Sequence, residues 1–182
     1  ELGLRQSLCL AQRKTSLEEV AKTLRMADDA LIERATDAVH RLPDLSVCQD
    51  SVGLGAWSPP DSESQRLELQ DLNTALARAE SALTFYRYEE GAALIGEALE
   101  AIKAVGHEPT LARAHLLYGR IYRRLRQPDK AVESLQKARR LGDRLRDDFL
   151  RARALVELVR VVGYDLANFE EGLELADDAS AA

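Results

Sequence analysis

The stretch LARAHLLYGRIYRRLRQPDKAVESLQKARRLGD, residues 111–143, decides the fold. Apolar residues recur in it at the three- and four-residue steps of an amphipathic helix, before and after a turn at 127–129. Small residues, Gly119 before the turn and Ala131 after it, stand where two packed helices must come close. The stretch therefore predicts two helices that are joined by a short turn and packed on each other.

The same pattern recurs along the chain and begins again near positions 87, 127 and 167. RYEEGAALIGEALEAI at 87–102, QPDKAVESLQKARRL at 127–141 and ANFEEGLELADDA at 167–179 each follow a turn and begin with acidic or proline residues. Their matching positions hold Gly91, Ala131 and Gly172, then Ile95, Leu135 and Ala176, then Ala98, Ala138 and Ala179. Repeats of this length predict helix pairs, with turns at 86–89, 106–109, 127–129, 142–147 and 167–169.

The N-terminal part has a different organisation. Residues 1–42 predict an amphipathic helical hairpin that turns near 26–29, because apolar residues recur at helical spacing. These are Leu8, Leu17, Val20, Leu24, Leu31, Ala35, Ala38 and Leu42. Residues 43–62 are rich in Pro, Gly, Ser and Asp and predict a linker, in which Trp57 either pins the linker onto a helix or contacts a partner. Three helix pairs are predicted over 63–182.

This array resembles tetratricopeptide repeats (TPRs), most clearly at 111–143. The residues at that motif's intervals are Tyr118, Gly119, Tyr122, Ala131, Leu135 and Ala138. The flanking pairs depart from the motif, with Ala79 and Ala82, or Arg160 and Gly163, in place of its glycine and aromatic residue. The resemblance implies an all-α fold, a right-handed α-solenoid of TPR-like helix pairs preceded by the helical hairpin.

A wider resemblance covers the whole chain. The segments 4–24, 27–50 and 162–179 are similar to the region that follows the kinase domain in myxobacterial-type serine/threonine kinases. No kinase motif is present, so the resemblance implies a scaffolding or substrate-docking segment of a larger signalling protein. Such a segment is cytoplasmic, or periplasmic if the parent protein crosses a membrane before it. The start at Glu1 without Met also leads us to expect a piece of a longer chain.

Composition and charge narrow the range of functions. With 25 Lys and Arg against 31 Asp and Glu the net charge is −6, which argues against nucleic-acid binding. No apolar stretch approaches the roughly 18–20 residues that cross a bilayer. His40, His107 and His115 lack metal-ligand spacing, so we expect no metal, no cofactor and no catalytic residue. We expect His107 on a surface turn and His115 packed between helices.

The charge is unevenly distributed, which directs attention to one face. Residues 111–153 hold 13 Lys and Arg against 5 Asp and Glu, a net charge of +8. A step of about 100° per residue aligns three positions on the first helix of each pair, and the alignment recurs with the repeat. These are Arg113, Arg120 and Arg124; Arg153, Arg160 and Tyr164; and Asn73, Glu80 and Thr84. We expect this concave face to bind an acidic protein or peptide, unless it is only a solvated surface where Glu157 neutralises Arg153 and Arg160.

Three questions stay open at this level. The chain could instead form a homodimer through Val156, Val161 and the C-terminal helix. A small-molecule site between hairpin and array has less support, because no convergent polar residues are visible. Cys9 and Cys48 form a disulfide only if the helices beside them fold back on each other.

Overall fold

The computed structural model describes residues 2–26, 29–40, 42, 44–50, 54 and 59–181. In this part the chain is helical and has no strand, which confirms the all-α prediction. The α-helices are α1 (Leu2–Arg25), α2 (Asp29–Ile32), α3 (Ala35–His40), α4 (Glu63–Thr84), α5 (Tyr88–Val105), α6 (Glu108–Arg124), α7 (Pro128–Leu145), α8 (Asp148–Val159) and α9 (Phe169–Ser180). A 3₁₀ turn covers Ser46–Cys48, and a wide π turn covers Arg160–Asp165 between α8 and α9.

The chain divides into two compact units, Glu1–Ala101 and Ile102–Ala182, with the boundary inside α5. Unit 1 packs α1 against α4, and its core joins Val20 of α1, Ala38 of α3 and Phe85 after α4. Trp57 lies outside the described residues, as do Ala27 and Asp28 in the predicted hairpin turn and residues 43, 51–53, 55, 56 and 58 of the predicted linker.

The second arm of the predicted hairpin is two short helices, so the expectation of one continuous helix there is wrong. The N–H of Arg34 donates to the carbonyl of Leu31, 3.1 Å away and only three positions back, and this tighter turn ends the first of them. The Arg34 guanidinium lies over the ring of Tyr86, 4.6 Å from its centroid. The break thus lets Arg34 reach the turn between α4 and α5.

Cys9 and Cys48 form a disulfide, with Cα atoms 5.6 Å apart. It ties α1 to the 3₁₀ turn, and the two sulfur-bearing side chains are buried with Leu54 in a small cluster. The carbonyl of Leu54 also accepts a hydrogen bond from Arg5 Nη1 at 2.9 Å. The structure therefore answers the question that the cysteine spacing left open.

In unit 2, consecutive helices from α6 to α9 pack on each other at small residues, as predicted. A Cβ built on Gly119 of α6 would lie 2.5 Å from Leu135 of α7. A Cβ on Gly172 of α9 would lie 2.7 Å from the Cα of Gly163. The prediction of a turn at 142–147 is wrong at its start, because α7 continues through Gly142 to Leu145. Gly142 instead allows close packing, since a Cβ built on it would lie 3.0 Å from the backbone nitrogen of Arg151.

A left-handed residue follows each helix from α4 to α7 and also follows the π turn, at Tyr86, Gly106, Arg126, Arg146 and Ala167. Tyr86, Arg126 and Ala167 have φ of 64°, 58° and 56°. The next residue's N–H closes each helix by bonding a carbonyl five or six positions back, as Gln127 does to Tyr122 at 3.0 Å. Tyr86 and Arg126 are 40 positions apart, whereas Arg126 and Ala167 are 41 positions apart. The additional position arises because the π turn inserts an extra residue.

Candidate functional site

We call Arg113, Arg120, Arg124, Arg153 and Arg160 of unit 2 the arginine face. They lie on α6, on α8 and at the start of the π turn, and α6 and α8 contact each other directly. His107 is the N-cap residue of α6, and its side chain caps the first turn of that helix. The Nδ1 of that ring lies 2.8 Å from the hydroxyl of Thr110 and accepts from the Thr110 N–H at 3.4 Å. His107 is buried, so the expectation of a surface histidine is wrong; the ring is drawn inward by its capping role.

Two of the predicted arginines meet on one carboxylate. Glu157 of α8 lies 3.6 Å from Arg120 Nε and 3.0 Å from Arg160 Nη1, measured from its Oε1 atom. Only 14% of the Glu157 side chain is exposed. The structure therefore brings Arg120 and Arg160, 40 positions apart in the sequence, onto one carboxylate, and it confirms the expected pairing of Glu157 with Arg160. We call these three residues the Glu157 cluster.

The neighbouring arginines are arranged differently from the prediction. Arg153 does not share Glu157, because its guanidinium lies over the ring of Phe149, 5.5 Å from the centroid. Arg113 is half-buried on α6, and Arg124 is exposed at the end of that helix. Three exposed guanidinium groups, those of Arg124, Arg153 and Arg160, thus belong to the face that the sequence singled out.

Tyr164 leaves the predicted alignment because the π turn adds a residue after Arg160. Its side chain is 80% exposed. Asp165 takes the place that a regular helix would give Tyr164, and its Oδ2 accepts from Arg123 Nε at 2.7 Å. The ion pair fastens the π turn to α6. Sequence periodicity could not show it, because the extra residue breaks the period.

Asn73, Glu80 and Thr84 belong to α4 in unit 1. Glu80 and Thr84 line a narrow crevice against α1 and α3, and the Thr84 hydroxyl donates to the Glu80 carbonyl at 2.9 Å. These two residues therefore face the hairpin. That they continue the arginine face stays a prediction.

Aromatic and histidine side chains of α6 belong to the packing of unit 2. Tyr118 and Tyr122 stack with ring centroids 4.3 Å apart, and burial raises the pKa of Tyr122 to about 12. His115 is buried, as predicted, and burial followed by the charges of Lys137 and Lys103 lowers its pKa to about 4. Its Nδ1 has no hydrogen-bond partner among the described residues. Neither group is placed for acid–base work at neutral pH.

The described part of the chain contains no group of three or more His, Cys, Asp or Glu side chains that could hold a metal ion. Among the helices in the same residues, none combines the length and the apolar character that a bilayer crossing requires. The arginine face offers guanidinium groups, which act through charge and hydrogen bonding. It can hold carboxylates bidentately.

Comparison with known proteins adds no relative. No protein-family model, no curated protein and no solved structure matches this chain.

Proposed function

We propose that this chain is a protein-interaction module, a right-handed solenoid of TPR-like helix pairs that binds acidic segments of partner proteins on its arginine face. The recurrence of left-handed turns at Tyr86, Arg126 and Ala167 supports the repeat architecture. The packing of successive helices at small residues supports it too. In this proposal the segment binds and does not catalyse.

The Glu157 cluster is the observation that carries the proposal. A carboxylate of the chain itself occupies the space between two guanidinium groups that come from separate helical segments. One carboxylate leaves an excess of positive charge beside the exposed Arg124 and Arg153. A ligand carboxylate would meet the same guanidinium geometry that Glu157 meets, and bidentate arginine contacts suit it well.

The resemblance to the C-terminal region of a serine/threonine kinase extends the proposal to the parent protein. In that setting the module would dock substrates or scaffold partners of the kinase. The Cys9–Cys48 disulfide favours the periplasmic placement over the cytoplasmic one, because disulfides persist in oxidising compartments. Thiol titration of the protein as isolated from its native cell would test this placement.

Calorimetry with a short synthetic peptide of Asp and Glu residues tests the binding proposal. We expect saturable binding that weakens with salt and that falls by about tenfold or more in an Arg124→Glu, Arg160→Glu double variant. The matched control is an Arg140→Glu, Arg146→Glu double variant, which reverses two exposed arginines of residues 111–153 that are not on the arginine face; it makes the same change in net charge and should change affinity much less. Equal losses in both variants would reduce the interaction to general electrostatic attraction.

A second variant tests whether the peptide binds at the Glu157 cluster or only to the charged surface in general. Glu157→Gln removes the competing carboxylate and keeps the side chain's shape, so peptide affinity should rise by about threefold to tenfold. Unchanged affinity in this variant would mean that the peptide does not use Arg120 and Arg160.

Self-association is the second candidate, and the C-terminal helix favours it. Phe169 and Leu173 of α9 are each 69% exposed, as an unpartnered apolar face would be. Val156 is also exposed, but Val161 is fully buried and cannot contribute, because it packs in the core of unit 2. Sedimentation at several concentrations, with Leu173→Lys as the comparison, decides this: a monomer throughout removes the candidate.

A further inference from the structure

A polar cleft of about 380 Å³ lies in unit 1 between α1 and α4, at the start of α5. Its lining combines hydroxyl, acidic and basic side chains, which the sequence analysis did not bring together. They are Glu19, Lys22, Thr23, Met26, Thr74, Arg78, Ser81, Arg87 and Glu90. This volume is within the range of small-molecule sites.

The floor of the cleft is a buried hydroxyl pair. The hydroxyl oxygens of Thr23 and Ser81 lie 3.1 Å apart, although the residues are 58 positions apart in sequence. Both side chains are buried, and Arg87 Nη2 donates to the Thr23 hydroxyl at 3.3 Å. A helix seam of this kind is ordinarily apolar, since a buried hydroxyl needs partners to offset its lost hydration. Both hydroxyls also contact the carbonyl of Glu19 as donors, at 3.1 Å from Thr23 and 3.5 Å from Ser81, so what they offer a ligand at this end of the cleft is acceptor lone pairs.

Among the charged side chains that line the cleft, one basic residue has no acidic partner in the described part of the chain. Lys22 pairs with Glu19, and Arg87 Nη1 lies 3.1 Å from Glu90, so each acid of the lining has a basic partner. Arg78 is exposed and has no acidic partner among the described residues. The three cations and two acids of the lining sum to +1.

Arg87 adds a second unfilled donor. Its Nε–H is buried and meets no acceptor in the part of the chain that the structure describes. Burying an N–H without an acceptor costs free energy, which a bound acceptor would recover once the Arg87 side chain turns this buried group toward the cleft. The excess charge of the lining is a single positive one.

From this arrangement we infer that the cleft binds a small monocarboxylic acid bearing a hydroxyl group. The carboxylate pairs with Arg78 and accepts from the Arg87 Nε–H, while the ligand's hydroxyl meets Thr23 and Ser81. One carboxylate matches the excess charge of +1, whereas a phosphate dianion would exceed it. This site is separate from the arginine face, which is built from residues of unit 2.

Titration of the isotope-labelled chain with glycolate, followed by NMR of the arginine Nε–H signals, tests the inference. Ethylene glycol serves as the uncharged analogue and inorganic phosphate as the dianion, all at constant ionic strength. Glycolate should give saturable shifts of the Arg87 and Arg78 signals with a dissociation constant on the order of millimolar. Ethylene glycol should give none.

Matched variants on α4 complete the experiment. Arg78→Gln, at an exposed position, should weaken glycolate binding by about tenfold, the loss expected for one charge-assisted contact. Arg66→Gln, an exposed arginine at the start of the same helix, should bind as the unaltered chain does. Linear shifts with glycolate, unchanged affinity in Arg78→Gln, or tighter binding of phosphate than of glycolate would each overturn the inference.

Discussion

Breaking the Cys9–Cys48 disulfide should lower the stability of unit 1 by about 4 kcal/mol. The perturbation is either reduction or the Cys9→Ser, Cys48→Ser double substitution. The bond joins residues 39 positions apart, so it removes the conformational freedom of a long loop from the unfolded chain.

The magnitude follows from the loop-closure entropy. For a loop of this length the chain-entropy relation gives about 13 cal/mol/K, which is about 4 kcal/mol at room temperature. The packing around the two cysteines compensates for little of this loss of stability, because their side chains are buried in a small cluster with Leu54 alone. A loss of this size is a large share of a small unit's typical stability, about 5–15 kcal/mol.

Urea unfolding and hydrogen exchange measure the effect. The midpoint of the unit 1 transition should fall on addition of reductant, and the double variant should match the reduced chain and no longer respond to reductant. Amide exchange should accelerate in α1, while α7, which lies in the other unit, serves as the internal reference. Oxidised, reduced and substituted chains that unfold at one urea concentration would refute the reasoning.

Three further changes give sharp outcomes. Gly172→Ala should destabilise unit 2 by about 1–3 kcal/mol, since the added Cβ would lie 2.7 Å from the Cα of Gly163. Gly163→Ala should cost much less, because its added Cβ would lie at an ordinary 3.5 Å from the Cα of Gly172. Thermal unfolding of the two variants measures this difference. Leu135→Ala, at a fully buried position, should cost about 2–5 kcal/mol by chemical denaturation, and a loss below about 1 kcal/mol would contradict the packing described for α6 and α7. Because His115 has a pKa of about 4 when folded and 6.5 as its ordinary value, the unfolded chain binds its proton first as the pH falls, so stability should drop by about 2 kcal/mol from pH 7 to pH 5. His115→Gln should remove this part of the pH dependence, and an identical pH profile for the two chains would exclude His115 as its source.

Much of the helical architecture could be predicted from local patterns. The period and the small residues predicted the helices that follow residue 62, and Gly119 and Gly172 do lie where helices touch. The errors occur where one turn departs from the regular period. Gly142 suggested a turn but serves close packing inside α7, and the π turn moves Tyr164 off the predicted face. Single-residue insertions of this kind leave no mark on composition or charge.

The features of the candidate site can also be divided into those that the sequence predicts and those that depend on the tertiary structure. The alignment of Arg120 with Arg160 follows from helical geometry and the period of the repeat, so it could be computed from the sequence. The pairing of Glu157 with Arg160 was also predicted from their spacing of three residues, but the contact of Glu157 with Arg120 could not be, because it depends on which side of α8 faces α6. The capping role of His107 was missed for a similar reason, since only the local backbone turns its ring inward.

Amino-acid order alone determined that this chain is helical, repetitive and basic in its middle, because helix period, turn residues and charge are local properties. Tertiary structure alone decided that Cys9 meets Cys48, that Thr23 meets Ser81, and that Arg123 meets Asp165. The physical reason is the same in each case. These partners are far apart along the chain, and only the packing of whole helices against one another brings them within bonding distance.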